Sequence, residues 1–396
     1  MPAFASDGGR RRAGPGRVGT VRTTVLGYPH LGRRGELCAA IESYLEGCMD
    51  AAVLERTAAA LRADVWTELA GAGLDSVPSN MFTYHDHVLD TAVLFGAVPR
   101  RYRAVGTLRA AGRSPALDVY FTMARGAGGL PPLATARWFG SSLRTVVPEL
   151  DEGTRFRLAE DVPKPLREFF EARRLGLFTR PVLLGPLTFL LLARPSPAAS
   201  PDFTPLDLLD DLVAAYVELL TRLGRAGVEG VQLDEPALTA GPGTADLAGL
   251  RRAYRRLVDT PGRPRILLST FFGELGPALP VIADVGVEAV GLDFVAGPGN
   301  LATLAGVGGL GSTTVVAGVV DGYTTQATDL PSALSTCAVL LGLAGDVVVS
   351  TSCSLVHLPP EADPRVVDLT APARRRVDEV MRLGRAFHED RPAPAP

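Results

Sequence analysis

Asp234 and Glu235, Ser269 and Thr270, Asp293, Asp321, and the run Ser350 to Cys353 each follow directly on a short apolar stretch. Carboxylates and hydroxyls are the groups that move protons and hold small polar ligands, provided that the fold brings them to one place. Asp234, Glu235 and Asp293 are therefore the acid/base candidates, with Asp321, Ser352 and Cys353 as substrate contacts. Any one of these residues reads equally well as a cap on the helix that follows it. Their recurrence after five consecutive runs favours a shared pocket.

A second cluster stands in "FTYHDHVLD", where His85, Asp86 and His87 are adjacent. On an extended segment the two histidines point to the same side. A metal would need at least one more ligand, so the cluster is expected to contact substrate or to form a polar turn at a pocket mouth. Cys353 and His357 are four apart, but no second cysteine lies near them in sequence, and a lone buried thiol is the simpler reading. "GVGGLGS" precedes an apolar run instead of following one, so it cannot aim a helix N-terminus at a phosphate. No metal is expected to be held by this chain.

The elements that must position these groups are plainest in the second half. "VEGVQLDE", "RILLST", "VEAVGLDF", "TTVVAGVVD" and "DVVVSTS" are near-continuous apolar runs, the pattern of strands covered on both faces. Helical segments such as "DLAGLRRAYRRLVD" and "LPSALSTCAVLLGLAG" lie between several of them, giving a repeated βα unit. "PLDLLDDLVAAYVELLTRLGRAG" is an amphipathic helix ending at Gly227. Upstream, helices are expected over about 34–73, the second from Ala51 to Leu69, and Pro78 and Ser79 read as a turn. "KPLREFFEARRLG" is helical, and "RPVLLGPLTFLLL" is a buried strand. The fold class is α/β, a single decorated (β/α)8 TIM-type barrel over 21–388 with an N-terminal helical extension, a flexible arm at 1–20 and a flexible tail at 389–396.

A chain of 396 residues allows either one decorated barrel or two ordinary domains. A net charge of −3 without a basic stripe gives no field for nucleic acid or anionic membrane. The longest apolar runs are broken by Gly and Pro before reaching the ~20 residues that span a bilayer, and the arginines near the N-terminus precede no apolar stretch of the secretory kind. Four scattered cysteines fit a reducing compartment, so the expected location is the cytoplasm.

Several stretches occur in the order of one known family: "VLGYPHLGRRGELCAAIESYLEG", "VPSNMFTYHDHVLDTAVLFGAVPRRY", "ARWFGSSLRTVVPEL", "RPVLLGPLTFLLLAR", "GVEGVQLDEPAL", "GVVDGYTTQATDL" and "VVVSTSCSLVHLPP". From Thr24 to about Pro360 the chain resembles the N-terminal half of cobalamin-independent methionine synthase. The resemblance implies one of two duplicated barrels in an enzyme that moves a methyl group from methyltetrahydrofolate triglutamate to homocysteine. It also implies that the catalytic zinc, held by a His, two Cys and a Glu, belongs to the other barrel. At the positions matching those ligands this chain has Thr270 and Phe272, then Asp293 and Cys353. Cys353 then reads as a relic.

The resemblance places folate-tail contacts at Glu36 and Leu37, which are kept, while Gly35 and Cys38 stand where the family has cations; Arg137 replaces a family lysine. From Gly140 to Thr145 the chain reads "GSSLRT" where the family has "DTNYHY". Losing two cations beside a polyanionic tail would cost roughly 1 kcal/mol for each ion pair. The expected partners are a small-molecule substrate, with methyltetrahydrofolate as a possible methyl donor, and a separate zinc-bearing barrel protein through which alone zinc would enter. Two alternatives are a stand-alone barrel enzyme acting on another small molecule and a non-catalytic binding protein.

Overall fold

The structure, a computed structural model, describes residues 22–105, 111–158, 161–359 and 368–389. The expected arm at 1–20 and residues 390–396 of the expected tail lie outside the described residues, while Glu389, placed in that tail, ends the helix Ala371–Glu389.

Seven parallel strands form one sheet in consecutive order: β1 Val77–Ser79, β2 Thr179–Leu184, β3 Gly230–Asp234, β4 Arg265–Ser269, β5 Ala289–Asp293, β6 Thr314–Val320 and β7 Asp346–Thr351. Its two edges meet through residues 22–24. Thr24 bridges to Ser76 beside β1, and Thr23 bridges to Val349 in β7, both in parallel. An open parallel sheet would leave both edges unpaired, and these bridges remove that cost by curling the sheet round on itself. The strands from β2 to β7 are almost wholly buried because helices cover one face and the barrel interior fills the other.

Two expectations are corrected. Pro78 and Ser79 are not a turn but part of β1, in register with Arg180 and Pro181. Proline is tolerated here because the far side of β1 is bridged only at Ser76, so its missing N–H leaves no ladder bond unmade. "RPVLLGPLTFLLL" is not one strand: β2 stops at Leu184 and a helix runs over Pro186–Leu192. Pro186 sits at the start of that helix, where a missing N–H costs nothing and its φ is already helical.

The helices over Glu36–Leu45 and Ala51–Gly71 lie between residues 22–24 and β1, within the first crossover. The helix Leu209–Arg225 buries Leu209, Leu212, Val213, Tyr216, Leu219, Leu220 and Leu223, a stripe at i, i+3, i+4 and i+7. Each buried leucine contributes about 2 kcal/mol of transfer free energy, and Gly227 ends the segment in the left-handed conformation at φ 83°. Between β1 and β2 an antiparallel hairpin, Thr135–Arg137 with Arg144–Val146, extends from the barrel body.

Candidate functional site

All the strands run the same way, so their C-terminal ends open at one rim. Along the rim from residues 26–31 through β1 and β2 to β3, a cavity of about 280 Å³ is lined by Tyr28, His30, Thr83, His85, Asp86, His87, Trp138, Asp234 and His357 among others. Each side chain arrives by a different route. Asp234 is the last residue of β3, His87 opens the helix His87–Leu94, Trp138 lies in the loop of the hairpin, and His357 ends a short 3-10 turn after β7.

Three imidazoles here are held neutral. Burial drives His30 down to about 4, with its neighbour His87 and the Lys164 charge acting the same way, and burial drives His357 down to about 3. Burial, with the nearby Lys164 charge, brings His87 to about 4. His87 Nε2 donates to the Met81 carbonyl at 3.0 Å, and His30 Nε2 faces the Thr83 backbone, 3.1 Å from its carbonyl and 3.3 Å from its N–H. A neutral ring carries one N–H, so Nδ1 of His87 is an acceptor. His30 Nδ1, His357 Nδ1 and Trp138 Nε1 are buried without a hydrogen-bond partner. Unpaired buried polar atoms are rare, and with Thr145 Oγ1 there are four in the lining of this one cavity, which marks a place that a polar ligand can complete.

Asp234 is the acid of this cavity. Burial raises it to about 7, against the pull of the Gln232 amide and the Arg180 charge. A carboxyl poised near neutrality can hold or release a proton at physiological pH. Asp86 is also raised, by burial, with the His85 charge opposing. Its carboxylate caps the helix His87–Leu94 through Leu89 N at 2.7 Å and receives Val146 N of the hairpin at 2.8 Å. Asp86 thus ties the hairpin to the rim, and His85, 3.7 Å from it, is the more exposed member of the trio.

The other candidates are placed apart. Glu235 is fully buried, with its oxygens accepting from Leu187 N, Thr188 N and Tyr254 OH, and burial raises it to about 7. It reaches the start of the helix Pro186–Leu192 across Gly185, where any Cβ would collide with its carboxyl at 2.1 Å. Asp293 accepts from Phe272 N, Val295 N and Ala296 N, and burial raises it to about 6. Asp321 accepts from Tyr323 N, Thr324 N and the Thr324 hydroxyl, and Ser352 Oγ accepts from Gly322 N. Burial, then the charges of Asp293 and Asp321, push the Cys353 thiol far up, the opposite of what a nucleophile or metal ligand needs. Leu37 is a core residue, Glu36 accepts from Arg34 N in its own helix turn, and Arg137 is exposed on the hairpin.

Among the described residues no group of three or more His, Cys, Asp or Glu could hold a metal ion. Thr270 donates to the Gly291 carbonyl, and Phe272 has no ligating atom. The residues present do not fit zinc, and no step through zinc is derived for this chain. A larger cavity of about 360 Å³ lies between β2 and the helices beyond β1. Its central cation, Lys164, is already shared by Asp90, Glu168 and Asn80, so its charges are met internally.

His30 and Trp138 were not among the candidates drawn from sequence, and His357 was weighed only as a metal-site partner of Cys353 and set aside. A lone histidine or tryptophan carries no spacing signal; only the quoted stretches "GYPH", "ARWFG" and "SLVHLPP" contained them.

Comparison with known proteins bears on the family and the fold. Residues 22–344 match the family described as cobalamin-independent synthase, N-terminal domain. The 5-methyltetrahydropteroyltriglutamate–homocysteine methyltransferase of Streptomyces avermitilis is 46% identical over 373 residues, covering 92% of this chain and 47% of the relative. The Rhodococcus jostii protein of the same name is 46% identical over 364 residues, with 92% and 45% covered. The chain thus spans about half the length of the curated relatives it matches. Among solved structures, a B12-independent methionine synthase from Shewanella sp. W3-18-1 in complex with selenomethionine superposes with a TM-score of 0.61 at 13% identity, covering 87% of this chain and 91% of that one. A putative vitamin-B12 independent methionine synthase from Listeria monocytogenes gives 0.61 at 13%, covering 93% and 99%. At such identities the two structures speak for the fold. The matched stretch and the level of identity make this chain a member of the cobalamin-independent methionine synthase family, corresponding to its N-terminal domain.

Proposed function

We propose that this barrel is the zinc-free half of a methyl-transfer system, working in the cytoplasm with a zinc-bearing barrel that lies outside these 396 residues, most simply a separate partner. The observation that carries this reading is the pairing of coverage with chemistry. The relatives named for homocysteine methylation match over nearly all of this chain but less than half of themselves, and the described residues assemble no metal-binding group. In this reading the partner's zinc activates the acceptor thiol. This chain supplies the mouth cavity, where Asp234 and the neutral His30, His87 and His357 orient a polar ligand, with methyltetrahydrofolate as the methyl donor.

The test is reconstitution. The purified chain is mixed with a zinc-barrel protein of the family, and methionine formed from homocysteine and methyltetrahydrofolate triglutamate is measured. Methionine is expected from the mixture and from neither component alone; no methionine with any such partner would overturn the reading.

The unpaired polar atoms of the mouth support a second reading, a stand-alone enzyme for another small molecule. Thermal-shift screening of the isolated chain separates the two. A stabilising small acid or amine whose shift disappears in Asp234→Asn favours the second, provided that reconstitution fails.

A further inference from the structure

Arg180 lies in β2 four residues before the rim and is buried inside the barrel. All five of its N–H groups are used, and every acceptor is neutral. Nε donates to Gln232 Oε1 at 3.2 Å, and Nη2 to Gln232 Oε1 at 2.9 Å and to the Val25 carbonyl at 3.0 Å. Nη1 donates to Thr24 Oγ1 at 2.9 Å and to Ser76 Oγ. Among the described residues no carboxylate is paired with this guanidinium. A buried charge without a direct counter-ion is costly, and burial lowers Arg180 to about 10, opposed by the charge of Asp234.

The link between those two charges is Gln232. Its Oε1 is committed to Arg180, so its Nε2 must face the other way, where it donates to the Leu26 carbonyl at 3.0 Å and to Asp234 Oδ1 at 2.7 Å. Gln232 and Asp234 are two apart on β3 and share its inner face. The chain of bonds thus runs from the barrel floor to the mouth, and each donor fixes the acceptor above it. An amide N–H binds a carboxylate more strongly than a neutral carboxyl, so the arrangement favours the anion.

We propose that Arg180 is a positioning residue which, through Gln232, fixes the Asp234 carboxyl at the mouth and favours its ionisation against the burial that opposes it, so that the cavity offers an acceptor to the N–H donor of a ligand. The ligand part rests on the mouth being the functional site; the Arg180–Gln232–Asp234 coupling is independent of any partner. Other groups also act on Asp234. Glu235, the next residue, opposes ionisation, and the Ser269 hydroxyl on β4 favours it. Tyr254 lies behind Glu235, and His30, His85, Asp86, His87 and His357 share the cavity. With the three buried histidines neutral, Arg180 is the permanent cation of this set.

The experiment follows the titration of Asp234 by carbon NMR in the full chain labelled at aspartate carboxyl carbons, with D234N used to assign the resonance. In R180M the midpoint is expected to rise by about one pH unit or more, and in R180K to recover part of that rise. Q232M, which keeps the buried charge but removes the amide, is expected to raise the midpoint as well, and it serves as the test if R180M does not fold. A role confined to filling the barrel floor would lower the melting temperature and leave the midpoint where it is. An unmoved midpoint in a folded R180M or in Q232M would overturn the proposal. A failed methionine reconstitution with a shifted midpoint would remove the partner reading and leave this one standing.

Discussion

One arc of the rim, from residues 26–31 to β3, and the opposite arc, from β5 to β7, carry the same kinds of residue and use them differently. On the first arc Asp234, His30, His87, Trp138 and His357 surround a cavity, and several of their polar atoms lack partners. On the second, Asp293, Asp321 and Ser352 spend their oxygens on backbone N–H groups of the loops beside them, and Cys353 is sealed beneath. A strand-end carboxylate is therefore not in itself a site. What separates an acid/base candidate from a loop fastener is whether local N–H donors have already consumed its lone pairs.

The sharpest way to break this distinction is Asp293→Ala. It strands three N–H groups at a residue that is 1% exposed, and the expected loss is about 3–5 kcal/mol in urea unfolding. A loss below about 1 kcal/mol would mean that the second arc is not held in this way.

The next effect in size concerns the first arc under acid. His30 falls from 6.5 in the unfolded chain to about 4 in the folded one. The unfolded state takes up the proton first, so the stability linked to neutral His30 is complete above pH 6.5 and is lost as the pH falls toward 4, by roughly 3 kcal/mol at the limit. Asp234 and Glu235, both raised to about 7, act in the opposite direction, because protonating them favours the folded chain as the pH falls. Replacing His30 with Gln should therefore flatten the acid limb of stability against pH, measured as the urea midpoint from pH 7 to pH 4. An unchanged limb would mean that the imidazole is not buried neutral.

Asp234→Asn should change stability by less than about 1 kcal/mol at neutral pH, since a carboxyl near 7 is already half protonated there and the amide keeps its shape. A loss comparable to that of Asp293→Ala would erase the contrast between the arcs. The smallest effect is expected at Cys353: a thiol reagent should modify the exposed Cys38 and Cys48 in the folded chain and leave Cys337 and Cys353 intact. Rapid labelling of Cys353 would show that the second arc opens.

The strands beyond β2 were legible because each is a near-continuous apolar run bounded by polar residues, and burial on both faces enforces that pattern. β1 was not, because its three residues include a proline and a serine, and only pairing with Thr179–Pro181 makes them a strand. The break at Gly185 was hidden for a related reason: an apolar run holds no period that separates a buried strand from a buried helix.

For the site, sequence composition and motif order determined much by themselves: a parallel α/β barrel, a family and a rim rich in carboxylates. Those properties follow from residue type and spacing along one chain, where local backbone geometry and side-chain chemistry are already set. Tertiary structure alone decided which carboxylates remained available. Glu235 and Asp234 are neighbours in sequence, yet one is taken by the helix across Gly185 and the other stands on Gln232 and Arg180 at the mouth. The availability of a lone pair depends on which donors the fold brings within hydrogen-bonding reach, and those that take up Glu235, Leu187 N, Thr188 N and the Tyr254 hydroxyl, come from helices distant in sequence.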